Sequence, residues 1–173
     1  MPFQLTTQAR FWMFSEDKLA ALRRAGAEQA LEKLQSAEAG SSESVPLQAD
    51  EERMLRYWYE TKLQEVCQTE NAEDSARFTN RVMFASLMYF KRFFLRISFM
   101  EEDPKLVMLA AFLVAGKVEE ERIEPDDLLK YSPKLKLEAL LALELRMLEA
   151  LSFQLVTVSP FRALQEPSPS PSP

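Results

Sequence analysis

Apolar residues recur every three or four positions along most of the chain, and at two places a charge stands in the apolar row. Leu106, Leu109, Ala110, Leu113 and Lys117 follow the spacing of one helical face, with Lys117 closing it. Leu137, Leu140, Leu141, Glu144, Leu148 and Leu151 repeat the pattern with a carboxylate in the middle. A charge in a buried stripe needs a partner. The simplest arrangement packs the two helices together and pairs Lys117 with Glu144. Two readings follow: a salt bridge that fixes helix register, or a charged pair at the edge of a hydrophobic groove that awaits a partner's backbone.

The same periodicity predicts a body of five helices. Asp50 is expected to cap the first, which runs to about residue 68 with Met54, Tyr57, Trp58, Leu63 and Val66 inward. The second spans about 78–97, with Val82, Ala85, Met88, Tyr89 and Phe93 as core candidates. The third, 104–120, opens on Pro104 in its first turn. A short fourth follows Pro125 to Lys130. The fifth, about 134–152, is apolar round so much of its circumference that it is expected at the centre of the bundle.

Ahead of the body, Ser15 followed by Glu16 and Asp17 signals a helix start. Leu19, Leu22, Ala30, Leu31 and Leu34 carry that helix to about residue 35, and Phe11, Trp12 and Phe14 precede it as aromatics expected to dock on the body. Residues 39–46 read as a linker. The Pro/Ser run that ends the chain reads as a polyproline-type tail, in which Ser168, Ser170 and Ser172 each precede proline. The expected organisation is therefore an arm, helix and linker over 1–48, an all-α body over 49–158 and a tail over 159–173.

Composition narrows the function. With 173 residues, 47% hydrophobic content and 3 glycines, one helical domain with tails is expected. The longest apolar run, 106–115, is about half a bilayer span, and the N-terminus lacks the apolar core of a secretory signal. A lone Cys67 cannot form an internal disulfide and reads as a buried thiol in a reducing compartment. Without histidine there is no imidazole base and no His metal ligand, and glycines at 26, 40 and 116 build no phosphate cradle. Glu119, Glu120 and Glu121 point in different directions round a helix, which favours a solvated acidic end over paired acid/base chemistry. No enzyme activity, cofactor or metal is expected.

The net charge of −6 argues against direct nucleic-acid binding. Charge is uneven, however: Arg77, Arg81, Lys91, Arg92 and Arg96 have no acid among them, whereas 101–127 carries nine acids against three basic residues. Such polarity suits protein recognition. Acids at the end of the third helix oppose its dipole by about 0.3–1 kcal/mol each, and a cationic partner surface is a candidate reason, with screening by salt as the alternative.

The runs Met-Tyr-Phe-Lys-Arg-Phe-Phe (88–94), Ala-Phe-Leu-Val-Ala-Gly-Lys-Val-Glu-Glu (111–120) and Leu-Glu-Leu-Arg-Met-Leu-Glu-Ala-Leu-Ser-Phe-Gln-Leu (143–155) resemble the cyclin family. Gln8-Ala-Arg-Phe-Trp-Met-Phe-Ser-Glu and Lys91 make the resemblance nearest to its cyclin H group, over about residues 8–163. It implies a single five-helix cyclin box with an extra N-terminal helix. It also implies a non-catalytic subunit that binds and activates a cyclin-dependent kinase, of the CDK-activating or transcription type, through the groove beside helices three and five. By the same resemblance Lys117 and Glu144 would hydrogen-bond the kinase backbone, and Val114, Val118, Leu148 and Leu155 would contact the kinase. Glu119 and Glu120 would face basic residues near its activation loop.

Further partners implied are the kinase's assembly factor and a general transcription and repair complex, acting in the nucleus and also in the cytoplasm. Two departures stand out: the chain has no room for the second five-helix repeat usual in such cyclins, and Gly116 replaces a small non-glycine residue at a cost of roughly 1 kcal/mol in a helix. The alternatives are a cyclin-fold transcription adaptor that binds protein or nucleic acid without activating a kinase, and a truncated inactive cyclin. A metal-carboxylate helical enzyme lacks its Glu-x-x-His spacing here.

Overall fold

The computed structural model describes residues 3–37, 47–72 and 78–160. A short turn at Phe3–Leu5 leads into α1 (Thr7–Phe11), α2 (Glu16–Ala37), α3 (Ala49–Ala72), α4 (Asn80–Phe93), α5 (Pro104–Val118), α6 (Pro125–Leu129) and α7 (Leu137–Ala150). No strand occurs among the described residues. The expected linker at 39–46 and the tail beyond residue 160 lie outside them.

α5 is the axis of the bundle, in place of the last helix. Every residue from Leu106 to Gly116 is buried, and α3, α4, α6 and α7 all pack on it, α4 and α7 most extensively. The reason lies in composition: no charge interrupts 106–116, and Ala110, Ala111, Ala115 and Gly116 let neighbouring helices come close. α7 carries Glu138, Glu144, Arg146 and Glu149, so one side of it must stay near water. Its buried row is Leu140, Leu143, Met147 and Leu151, one face at i, i+3, i+7 and i+11. Leu141, expected in the inward stripe, is 43% exposed.

Local chemistry sets the helix starts. Thr79 caps α4 by accepting from the Val82 amide at 3.4 Å, and Asp103 caps α5 by accepting from the Lys105 amide at 2.9 Å, with Pro104 just inside. At α3 the expected cap differs. Asp50 lies inside the first turn, paired with Arg53 at 3.1 Å, while Glu51 reaches back to accept from the Gln48 amide at 2.8 Å.

α3 also buries a different face from the one its aromatics suggest. Met54, Tyr57 and Trp58 are exposed, at 72%, 73% and 51%, and the inward row runs through Glu52, Leu55, Tyr59, Leu63 and Cys67. Glu52 decides this orientation: its carboxylate accepts from Ser98 Oγ at 3.0 Å and the Phe99 amide at 3.3 Å, with Arg56 at 3.9 Å. A buried carboxylate satisfied in this way holds the helix in one rotation. Phe99 in turn stacks on Phe94, centroids 3.7 Å apart, within a cluster that includes Phe90 and Phe93.

The N-terminal elements dock as expected. Trp12 is buried and Phe14 half-buried, although Phe11 stays exposed. On α2, Ala30 is fully buried, and Lys33 bridges to Glu101 at 2.6 Å.

Candidate partner-binding groove

Lys117 ends α5 and Glu144 lies midway along α7, and the two meet as the spacing of the stripes predicts. Lys117 Nζ donates to Glu144 Oε1 at 2.5 Å, with the lysine side chain 59% exposed and the glutamate 14%. The pair therefore sits at the mouth of the α5/α7 seam, held from below by the core and open above. Lys117 has three N–H donors and uses one here.

Beside the pair runs an apolar row in which sequence reasoning placed Leu148 but did not foresee Leu141 and Leu145 at the surface. Leu141 and Leu145 are 43% and 57% exposed, and half-buried Leu148 continues them at i, i+4, i+7. The signal was present: α7 has more leucines than one buried face can take, and the surplus made it look central. The structure spends that surplus on an open stripe flanking Glu144.

The other candidate residues occupy different depths. Val114 is 2% exposed and belongs to the core, so it underlies the seam without offering surface. Val118 is half-buried at the end of α5, and Leu155, also half-buried, packs on the core from the segment after α7. Glu119 is half-buried and Glu120 exposed.

The three glutamates form a folded turn in which each has its own place. Glu120 takes φ 60°, and the Glu121 amide donates back to the Gly116 carbonyl at 2.8 Å, closing the C-terminal motif that usually has glycine at this position. The Glu121 carboxylate turns away and accepts from the hydroxyl and the amide of Thr79. Gly116 is explained by the same turn: the returning chain lays Ile123 over it, closer than a Cβ would allow. The expected cost of a helical glycine is thus the condition for the tight fold-back.

The basic residues of 77–96 do not assemble into one patch. Arg92 is buried, Lys91 pairs with Glu60 at 3.2 Å, and Arg96 donates to Ser152 at 3.1 Å, while Arg81 is exposed and Arg77 lies outside the described residues. Among the described residues no group of acids, cysteines or histidines has the geometry to hold a metal, and no helix is long and apolar enough to cross a membrane.

Residues 31–156 match the sequence model of the cyclin N-terminal domain. Cyclin-H1-1 of Arabidopsis thaliana is 31% identical, over 94% of this chain and 53% of its own length. Among solved structures, a chain of the CAK complex of Chaetomium thermophilum superposes with a TM-score of 0.80 at 25% identity, covering 94% of this chain and 50% of that one. A chain of the yeast TFIIK (Kin28/Ccl1/Tfb3) complex gives a TM-score of 0.70 at 25% identity, over 94% of this chain and 61% of that one. The chain spans about half the length of the curated relatives it matches.

Proposed function

The chain belongs to the cyclin family, and from that premise we propose that it is a non-catalytic regulatory subunit that binds and activates a cyclin-dependent kinase of the CDK-activating and transcription type. The observation that carries the reading is the Lys117–Glu144 pair at the mouth of the α5/α7 seam, next to the exposed Leu141 and Leu145. An amphipathic helix laid in that seam would cover the leucines with its apolar face. Lys117 would donate to a backbone carbonyl of the kinase and Glu144 would accept from a backbone amide. Val118, Leu148 and Leu155 would complete the apolar contact over the floor that Val114 supports. Glu119 and Glu120 would meet basic residues near the activation loop.

Docking of this kind activates by moving a helix. A kinase needs its C-helix glutamate paired with the ATP-binding lysine, and a subunit that binds the inward position of that helix shifts the population toward it. The relatives found in CAK and TFIIK complexes support a kinase of that type. On the same reading an assembly subunit stands alongside the kinase, and the complex acts in the nucleus in transcription and repair.

The test is activity of a purified catalytic subunit of a CDK-activating kinase titrated with this chain and with Lys117→Ala/Glu144→Ala. Activation by the chain, lost in the double variant, is expected. Full activation by the double variant overturns the assignment of the pair, and binding without activation returns the chain to an inactive cyclin.

A further inference from the structure

Tyr89, Arg92 and Arg96 stand at i, i+3 and i+7, on one face of α4 and the turn that follows it, and all three donate to the segment after α7. Tyr89 Oη donates to the Leu155 carbonyl at 2.6 Å, Arg92 Nη1 to the Gln154 carbonyl at 3.0 Å and Arg96 Nη1 to Ser152 Oγ at 3.1 Å. The N-terminal arm closes on the same segment. The Val158 amide donates to Gln8 Oε1 at 2.7 Å, and the Trp12 ring lies over the guanidinium groups of Arg92 and Arg96, 4.7 and 5.4 Å away.

The segment needs this support. Ser152 and Phe153 have φ 52° and 55°, two consecutive non-glycine residues in a left-handed conformation, which persists only where the surroundings over-determine it. Arg92 is a costly support: it is 2% exposed, and its Nε and Nη2 have no hydrogen-bond partner among the described residues. A guanidinium buried with most of its donors unused does not improve a core. What it does is donate to the Gln154 carbonyl while the Trp12 ring packs against its guanidinium.

We propose that Gln8, Trp12 and Arg92 are positioning residues for the groove. They fix segment 152–158, and with it Leu155, one of the residues proposed above to contact the kinase, so that the N-terminal arm sets affinity for the kinase without touching it. This rests on the kinase-groove reading above.

The full chain, Gln8→Ala, Trp12→Ala, Trp12→Phe and the exposed-arm control Met13→Ala are titrated against the purified kinase subunit, with amide exchange of each free chain followed in parallel. Gln8→Ala and Trp12→Ala are expected to raise the half-saturating concentration about five- to tenfold, the scale of one lost hydrogen bond, with the rate at saturation unchanged. Exchange quickens at Val158 and not in α5. Trp12→Phe and Met13→Ala stay near the unaltered chain, the former because a ring remains over the guanidinium. Unaltered affinity in both alanine variants overturns the proposal, and if Lys117→Ala/Glu144→Ala still abolishes activation the groove reading stands. Exchange that quickens equally through α5 reduces the arm to general support and also overturns it. If the unaltered chain fails to bind the kinase, the groove reading falls and this proposal with it.

Discussion

A Cβ on Gly116 would lie 2.5 Å from Cδ1 and 2.7 Å from Cγ1 of Ile123, and 3.1 Å from the Glu121 carbonyl oxygen. Helix propensity alone favours Gly116→Ala by about 1 kcal/mol, yet the crowding acts against it. Ile123 and a backbone carbonyl would both have to move. Gly116→Ala is expected to destabilise by about 1–2 kcal/mol net in urea unfolding, the range of an overpacked core. Gly116→Ala/Ile123→Val should recover part of the loss, because valine lacks the Cδ1 atom. A Gly116→Ala variant more stable than the original would show that the turn yields freely.

Glu120 is exposed and left-handed at the end of α5, a position that costs a side chain about 1–2 kcal/mol and costs glycine nothing. Glu120→Gly is therefore expected to raise the unfolding free energy by about 1 kcal/mol, after allowing for the greater freedom of glycine in the unfolded chain. If the carboxylate serves the kinase, the same variant binds it more weakly. A gain in stability with unchanged binding would remove Glu120 from the groove.

The Lys117–Glu144 pair is open to water on the lysine side, so its contribution to stability is small, below about 1 kcal/mol. Lys117→Ala should melt within a few degrees of the original chain, which makes any loss of kinase binding a property of the surface. A collapse of the fold in this variant would instead assign the pair to register alone.

Burial raises the Cys67 thiol from 9.0 to about 12. Between those values the unfolded chain gives up this proton while the folded chain keeps it. The stabilisation is complete below pH 9 and falls as pH rises through the window. At pH 10 the loss is about 1.4 kcal/mol, one pKa unit's worth. The urea midpoint of Cys67→Ala should accordingly draw closer to that of the original chain between about pH 8 and pH 10. Parallel pH dependence in the two would mean that Cys67 is not protected in the folded state.

The positions of the helices were legible because they follow from local physics. Pro104 in the first turn of α5, Ser15 before the acids that open α2 and the 3.6-residue period act within a turn or two of themselves. The Lys117–Glu144 pairing was legible for a related reason, since two isolated charges in two buried stripes constrain each other wherever the helices meet. The rotation of a helix is different. α3 has apolar residues on two faces, and the choice between them was made by Ser98 and the Phe99 amide, 46 and 47 residues away, which take up the Glu52 carboxylate.

From its sequence alone the chain determined an all-helical body, the number and order of that body's helices, the arm of docking aromatics and the charged pair at the seam. Tertiary structure decided which helix lies at the centre, which leucines of α7 stay open beside Glu144, and why Gly116 and a buried Arg92 are where they are. Periodicity specifies a face only when apolar residues just fill it. Where they exceed it, as in α3 and α7, or where a backbone must pass close by, as at Gly116, the outcome rests with distant residues that supply the contact or withhold it.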